Sequence, residues 1–155
     1  TPWIGELIAN NGVQELRALG MLVLRTADDP PCGLTGATTR ESCSLAITAD
    51  ADCQVEVYRC KRAVGLVTAR PTWNEYDPNA SAAWASPGGA GADDAALIGS
   101  VSLTAGVPGY LTGAALAEAV QAMIDGAEQN FLLRRADTGY ETIALTVELT
   151  VEKES

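Results

Sequence analysis

The stretch Ile143-Ala144-Leu145-Thr146-Val147-Glu148-Leu149-Thr150-Val151 decides the fold class of this chain. Its branched and apolar residues Ile143, Leu145, Val147, Leu149 and Val151 occupy every second position, and Thr146, Glu148, Thr150 and Glu152 fall between them. Successive side chains of a strand point to opposite faces, so this period of two describes a strand with one buried and one wet face. Working back from it, Phe131 to Arg135 reads as a short strand, and residues 97–104 as another that Val107-Pro108-Gly109 breaks. Cys43 to Thr48 and Cys53 to Cys60 read as two strands joined by the polar turn Ala49-Asp50-Ala51-Asp52. In the second, Val55 and Val57 share a face opposite Gln54, Glu56 and Tyr58. Gly20 to Arg25, with Met21-Leu22-Val23-Leu24, reads as a buried strand ended by Asp28-Asp29-Pro30-Pro31.

One segment has a different period. From Thr112 to Gly126, Leu116, Val120, Met123 and Ile124 form an i, i+4, i+7, i+8 stripe, so the spacing predicts one short helix with Thr112 as its N-cap. Gly126 stands where a left-handed C-terminal residue belongs. Many strands with one late helix, no repeat and no long linker describe an all-β, antiparallel two-sheet sandwich filling residues 20–155 as a single domain. Residues 1–19 read as an N-terminal arm or short helix. Trp3, Ile4, Leu7 and Ile8 fall at helical spacing and offer an apolar surface for docking on a neighbour.

Composition narrows the function. The 155 residues hold 20 acidic and 10 basic side chains, a formal charge of −10, which disfavours contact with phosphate backbones. Direct nucleic-acid binding is therefore not expected, and acidic glycans are disfavoured unless Arg17, Arg25, Arg59, Lys61, Arg62, Arg134 and Arg135 gather on one face. No run of about 18 apolar residues occurs, so no membrane insertion is expected. The chain has no histidine, which removes Ser-His-Asp and Cys-His catalysis and every His-containing metal site. Paired carboxylates such as Glu118 near Asp125 read as a solvated helix face. The reading is therefore of a non-enzyme without cofactor or resident metal.

The segment from Arg70 to Asp94 carries the chemistry. Trp73, Tyr76 and Trp84 lie there between Pro71, Pro78 and Pro87, without helix or strand periodicity, so the loop folds over its own sheet or over a ligand. As a platform, the three aromatics would stack on sugar faces; as anchors, Trp73 and Trp84 would hold the loop against the sandwich edge. Asp50, Asp52, Asp93 and Asp94 have calcium-binding chemistry, but no glycine follows Asp50-Ala51-Asp52 at the needed offset, and polar turns explain them better. Asn79-Ala80-Ser81 marks an exposed loop.

Four cysteines, Cys32, Cys43, Cys53 and Cys60, allow three disulfide pairings or none. Cys53 and Cys60 would lie about 23 Å apart on one extended strand, beyond bridging range. A hairpin turning at 49–52 would instead bring Cys43 towards Cys60 and leave Cys32 for Cys53. Their spacing offers no paired zinc knuckle.

Strand Gln54–Cys60, Thr72-Trp73-Asn74, Tyr76, Trp84, Pro87-Gly88-Gly89, Leu111-Thr112, the helix ending Val120-Gln121-Ala122-Met123-Ile124-Asp125-Gly126, and Asn130-Phe131-Leu132-Leu133 follow in a meaningful order. Over roughly residues 40–150 the chain resembles the DNRLRE-domain family, although Met123 replaces a usual tryptophan and the naming motif is absent. The resemblance implies a jelly-roll sandwich of the kind found in bacterial surface and secreted proteins, in carbohydrate-binding modules and in phage proteins. The expected function is a structural assembly protein on a virion or extracellular surface, most sharply a phage capsid decoration or tail component. Its expected partners are itself, with a trimer favoured, and other virion or surface proteins. A start at Thr1 without a leader pattern fits removal of an initiator Met. The alternative is a secreted carbohydrate-binding module that takes glycans on Trp73, Tyr76 and Trp84.

Overall fold

A computed structural model describes residues 3–9, 15–16, 21–26, 43–62, 64, 71–126, 130–136 and 143–152. Strands β1 (Trp3–Ala9), β2 (Glu15–Leu16), β3 (Met21–Thr26), β4 (Ser44–Ala49) and β5 (Cys53–Cys60) come first. Then follow the short β6 (Glu75–Asp77) and β7 (Ala82–Ala83), β8 (Ala95–Leu103), β9 (Gly109–Thr112), helix α1 (Ala114–Ile124), β10 (Asn130–Arg135) and β11 (Ile143–Val151). All strand pairings among the described residues are antiparallel, and the main path runs β8-β5-β10-β3-β1-β11-β4-β9.

Strand β1 divides this path into two blocks. Its first half pairs with β11, Trp3 opposite Val151 through Glu6 opposite Glu148, and its second half pairs with β3, Leu7 opposite Thr26 through Ala9 opposite Leu24. The helix reading of the N-terminal segment is therefore corrected. The spacing of Trp3, Ile4, Leu7 and Ile8 satisfies a helical stripe, but tertiary pairing overrides it, because this strand connects the two blocks. Leu7 is buried in the core, so it is no free docking contact.

One apolar cluster receives side chains from both blocks. Leu22, Leu24, Val55, Val57, Val101, Leu103, Phe131 and Leu133 enter it from one, and Leu45, Ile47, Leu111, Leu145, Val147, Leu149 and Val151 from the other. The alternation expected for β11 is complete: its five apolar residues are buried, while Ala144, Thr146 and Glu148 are exposed. Leu116, Val120, Met123 and Ile124 of α1 join the same core. Thr112 closes β9 rather than capping the helix, since Gly113 is the N-cap and no side chain caps it. Gly126 has φ +79°, and its N–H donates to Met123 O at 3.2 Å, the expected left-handed stop.

The hairpin expected across residues 49–52 does not form. Strand β4 lies between β11 and β9, whereas β5 lies between β8 and β10. The turn instead carries the chain from one block to the other, so Cys43 and Cys60 belong to separate apolar clusters. The sulfur of Cys60 donates to Arg62 O at 3.6 Å, burial raises the Cys43 thiol above its ordinary pKa, and the 43–60 bridge is absent. Cys32 lies outside the described residues, and with it the proposed 32–53 pairing.

Candidate functional site: an aromatic loop clasped by a buried ion pair

Strands β3 and β10 have no wet face. Leu22, Leu24, Phe131 and Leu133 point to the main core, while Val23 and Leu132 join a second cluster with Cys60, Val64, Trp84 and Ala95. Segment 71–94 supplies the cover over that outer face. Trp84 is 4% exposed, and Met21, Tyr58 and Tyr76 pack at the cluster's margin.

Each aromatic has defined partners. The indole Nε1–H of Trp84 donates to Thr72 O at 2.8 Å, which satisfies the one polar atom that burial would otherwise strand. Tyr76 meets the Trp84 ring edge-on at a centroid separation of 5.6 Å. The Arg62 guanidinium lies 5.1 Å from the Tyr76 centroid, and the Arg134 guanidinium 5.0 Å from that of Trp73. These are cation–π distances.

The turn expected at Pro87-Gly88-Gly89 fits itself to the two indoles. Gly88 and Gly89 have φ of +88° and +73°, a region that L side chains avoid. A Cβ at Gly88 would lie 2.7 Å from Trp73 Cη2, and one at Gly89 would lie 3.2 Å from the Trp84 ring. Backbone thus packs flat against both tryptophans. Gly88 N–H also donates to Trp73 O at 2.6 Å.

Asp94 holds the loop at its other end. Its side chain is fully buried, and its carboxylate accepts Ala85 N–H and Ser86 N–H, each at 2.9 Å, and Arg62 Nε–H at 2.9 Å. Burial alone would raise this carboxyl, but the two backbone N–H groups and the adjacent Arg62 guanidinium together hold it below the usual carboxylate range. The Asp94 carbonyl takes Lys61 N–H at 2.7 Å, and Lys61 Nζ donates to Ala92 O at 2.9 Å. Asn130, also buried, donates Nδ2–H to Arg62 O at 3.4 Å. Arg62 and Asp94 therefore close a network linking the end of β5, the start of β10 and the loop.

The four aspartates weighed for calcium are dispersed. Asp50 Oδ1 accepts Ala144 N–H at 3.0 Å, which ties the 49–52 turn to β11, and Asp52 Oδ1 accepts Ala105 N–H at 2.8 Å, which ties it to the turn after β8. Asp93 is exposed beside the buried Asp94. Among the described residues, no three His, Cys, Asp or Glu side chains converge as a metal would require. On the helix, Gln121 Nε2–H donates to Asp125 Oδ1 at 3.0 Å on the exposed face. Asn79 and Ser81 are exposed, as expected of that loop. No helix is long and apolar enough to cross a membrane, among the described residues.

The structure thus brings Trp73, Tyr76 and Trp84 into one assembly and adds Arg62, Asp94 and Arg134, which the sequence did not single out as loop partners. A signal for this cover was present in the unbroken apolar runs Met21 to Leu24 and Phe131 to Leu133. A central strand without alternation needs both faces buried. Compared with known proteins, the chain matches no family model, and none of the curated proteins matches it either.

Proposed function

We propose that this chain is a non-catalytic structural protein that acts by assembly on an exposed particle or cell surface. Its sharpest form is a phage virion component, such as a capsid decoration or tail protein, built as a two-sheet jelly roll of the DNRLRE kind. One observation carries the reading: the loop's best ligand-handling side chains are engaged with one another. Trp84 is buried with its indole N–H bonded, Tyr76 lies between Arg62 and Trp84, and backbone packs on Trp73. Such a loop adds a rigid third layer to the sheet, which suits a subunit that bears load through its shape.

The test is the native mass of the purified chain by light scattering after size exclusion. A discrete oligomer, with three copies favoured, or longer polymers are expected. A monomer at every concentration, retained on a glycan column through Trp73 or Tyr76, would overturn the reading in favour of the carbohydrate-binding module. Deleting residues 1–19 cannot serve as the assembly test, because β1 joins both blocks of the sheet and its loss would unfold the body.

A further inference from the structure

Among the described residues, each outer face of the sheet exposes one large apolar side chain. Tyr110, 64% exposed, stands on the outer side of the block that holds β9, β4 and β11, where its row continues through Ala46 to Glu148. Leu97, 57% exposed, stands on the outer side of the other block beside Tyr58, one row from the cross-strand pair Glu56 and Arg134. The two faces differ in charge. On the β11 face, the outward positions of β4, β9 and β11 carry short side chains such as Ser44, Thr48 and Thr146, with Tyr110 and the exposed Glu148, and no basic residue. Glu148 even has Glu6 as its register partner on β1, acid opposite acid. On the β10 face, Arg134 is held against Trp73, and among the described residues its guanidinium makes no ion pair and no hydrogen bond. Its neighbour Glu56 takes the Tyr58 hydroxyl instead, at 2.8 Å. The N–H donors of Arg134 are therefore left for a carboxylate from outside.

Strand order places the two sets of groups over one another. The blocks are joined through β1 on one side and meet at β8 and β9 on the other, where a Cβ on Gly109 would sit 2.5 Å from Leu103 Cδ2 and one on Gly99 2.8 Å from Leu111 Cδ1. Counted from that flank, one face runs β9, β4, β11 and the other β8, β5, β10. Tyr110 and Leu97 thus hold the first place on their faces, Ala46 and Tyr58 the second, and Glu148 and Arg134 the third. When one copy is laid on the next, β11 face on β10 face, apolar meets apolar, bulky meets small and acid meets base. Charge also selects the occupant. Two β11 faces would set Glu148 against Glu148, and a basic partner would answer that face alone, whereas another copy of this chain offers the complement of both.

We infer that copies of this chain stack head to tail, the β11 face of one on the β10 face of the next, with Glu148 against Arg134 and Tyr110 against Leu97. The inference rests on the assembly reading above and identifies its surfaces. The two faces look in opposite directions from one core, so the contact repeats without closing and builds an open polymer rather than a ring.

Charge exchange tests it, read as mass by light scattering on the full chain across a concentration series. The parent's mass should keep rising with concentration. Glu148→Arg and Arg134→Glu should each weaken self-association at least about tenfold, the low end for a close interfacial charge pair, and the double variant should recover it to within about threefold of the parent. Asp125→Arg, exposed at the end of α1, makes the same change of net charge as Glu148→Arg and should assemble like the parent. Arg134→Glu also takes the guanidinium from Trp73, so circular dichroism accompanies every mass. Should that variant misfold, Glu148→Arg and Tyr110→Ala, both on the face away from the loop, make the comparison. Folded variants that keep the parent's mass, a double variant that recovers nothing, or a parent that levels off at one closed oligomer would overturn the stack and leave the assembly reading standing. A parent that stays monomeric throughout overturns both.

Discussion

Replacing Asp94 by Asn removes one charge with almost no change of shape, and it should loosen the whole loop. The carboxylate receives three N–H groups, from Ala85, Ser86 and Arg62, each at 2.9 Å, in a site closed to solvent. An asparagine can present its single oxygen to Ala85 and Arg62, but its amide nitrogen then faces the Ser86 N–H, donor against donor. Leaving that N–H unsatisfied costs about 1–3 kcal/mol, and converting the two remaining bonds from charge-assisted to neutral adds roughly 1 kcal/mol. Arg62 is 32% exposed, so water recovers part of its solvation and the pair's Coulomb energy adds little. The total is about 2–4 kcal/mol, which for a domain of this size lowers Tm by roughly 5–15 °C. Thermal melting by circular dichroism measures the loss. Tryptophan emission should shift to the red as the cover over Trp84 loosens. Adding Arg62→Met to the Asp94→Asn variant should cost little more, because the partner it would leave unpaired is already gone. An Asp94→Asn variant that melts within about a degree of the parent, with unchanged emission, would refute the clasp.

The same carboxylate sets an acid limit. Its folded pKa lies below the unfolded value of about 3.9, so its contribution is fully present above that value and is lost as pH falls through the folded pKa. Urea midpoints measured from neutral into acid should therefore fall more steeply for the parent than for Asp94→Asn. Gly89→Ala combines a positive φ with a Cβ 3.2 Å from the Trp84 ring, and should destabilise by about 1–3 kcal/mol in urea titration, with tryptophan emission again shifted. Cys43, Cys53 and Cys60 are buried, and burial raises the Cys43 thiol, so mass-mapped alkylation should mark these three only after denaturant is added. Labelling of any of them at the native rate of a surface thiol would contradict their burial.

How much was legible in the sequence depended on whether a segment answers to one partner surface or to two. Strand β11 has one buried face over its whole length, so its period of two is visible from Ile143 to Val151. Helix α1 likewise shows one stripe, although the capping signal points to too early a start, because Thr112 is a good capping residue in a position that β9 already claims. Strand β1 serves two blocks in succession, and its large apolar residues fall on both parities, Trp3 and Leu7 on one and Ile4 and Ile8 on the other, so no period of two stands out and its spacing imitates a helix. Strand β9 has only four residues, with Gly109 at its start and Gly113 just past its end, too few for any period to register.

The loop shows the same division at the level of chemistry. Its aromatics were visible because large apolar rings outside a regular element must cover something, and they do cover the outer face of β3 and β10. The clasp that positions them was not visible, because Arg62 and Asp94 stand 32 residues apart and neither sits in a recognisable pattern. A pairing of that kind follows from topology alone. Once β5 and β8 are neighbours, with Cys60 opposite Ala95, the residues just beyond the two strand ends must meet, and a buried carboxylate there must find donors. The donors it finds are the loop's own N–H groups and the arginine two residues past β5. The strand pairing that builds the sheet therefore also places the groups that fasten its cover, and loss of register between β5 and β8 would release the loop together with the edge. Inserting one residue into β8 should thus expose Trp84 and abolish the melting transition's dependence on Asp94, which emission spectra and melting curves of the insertion variant with and without Asp94→Asn would reveal.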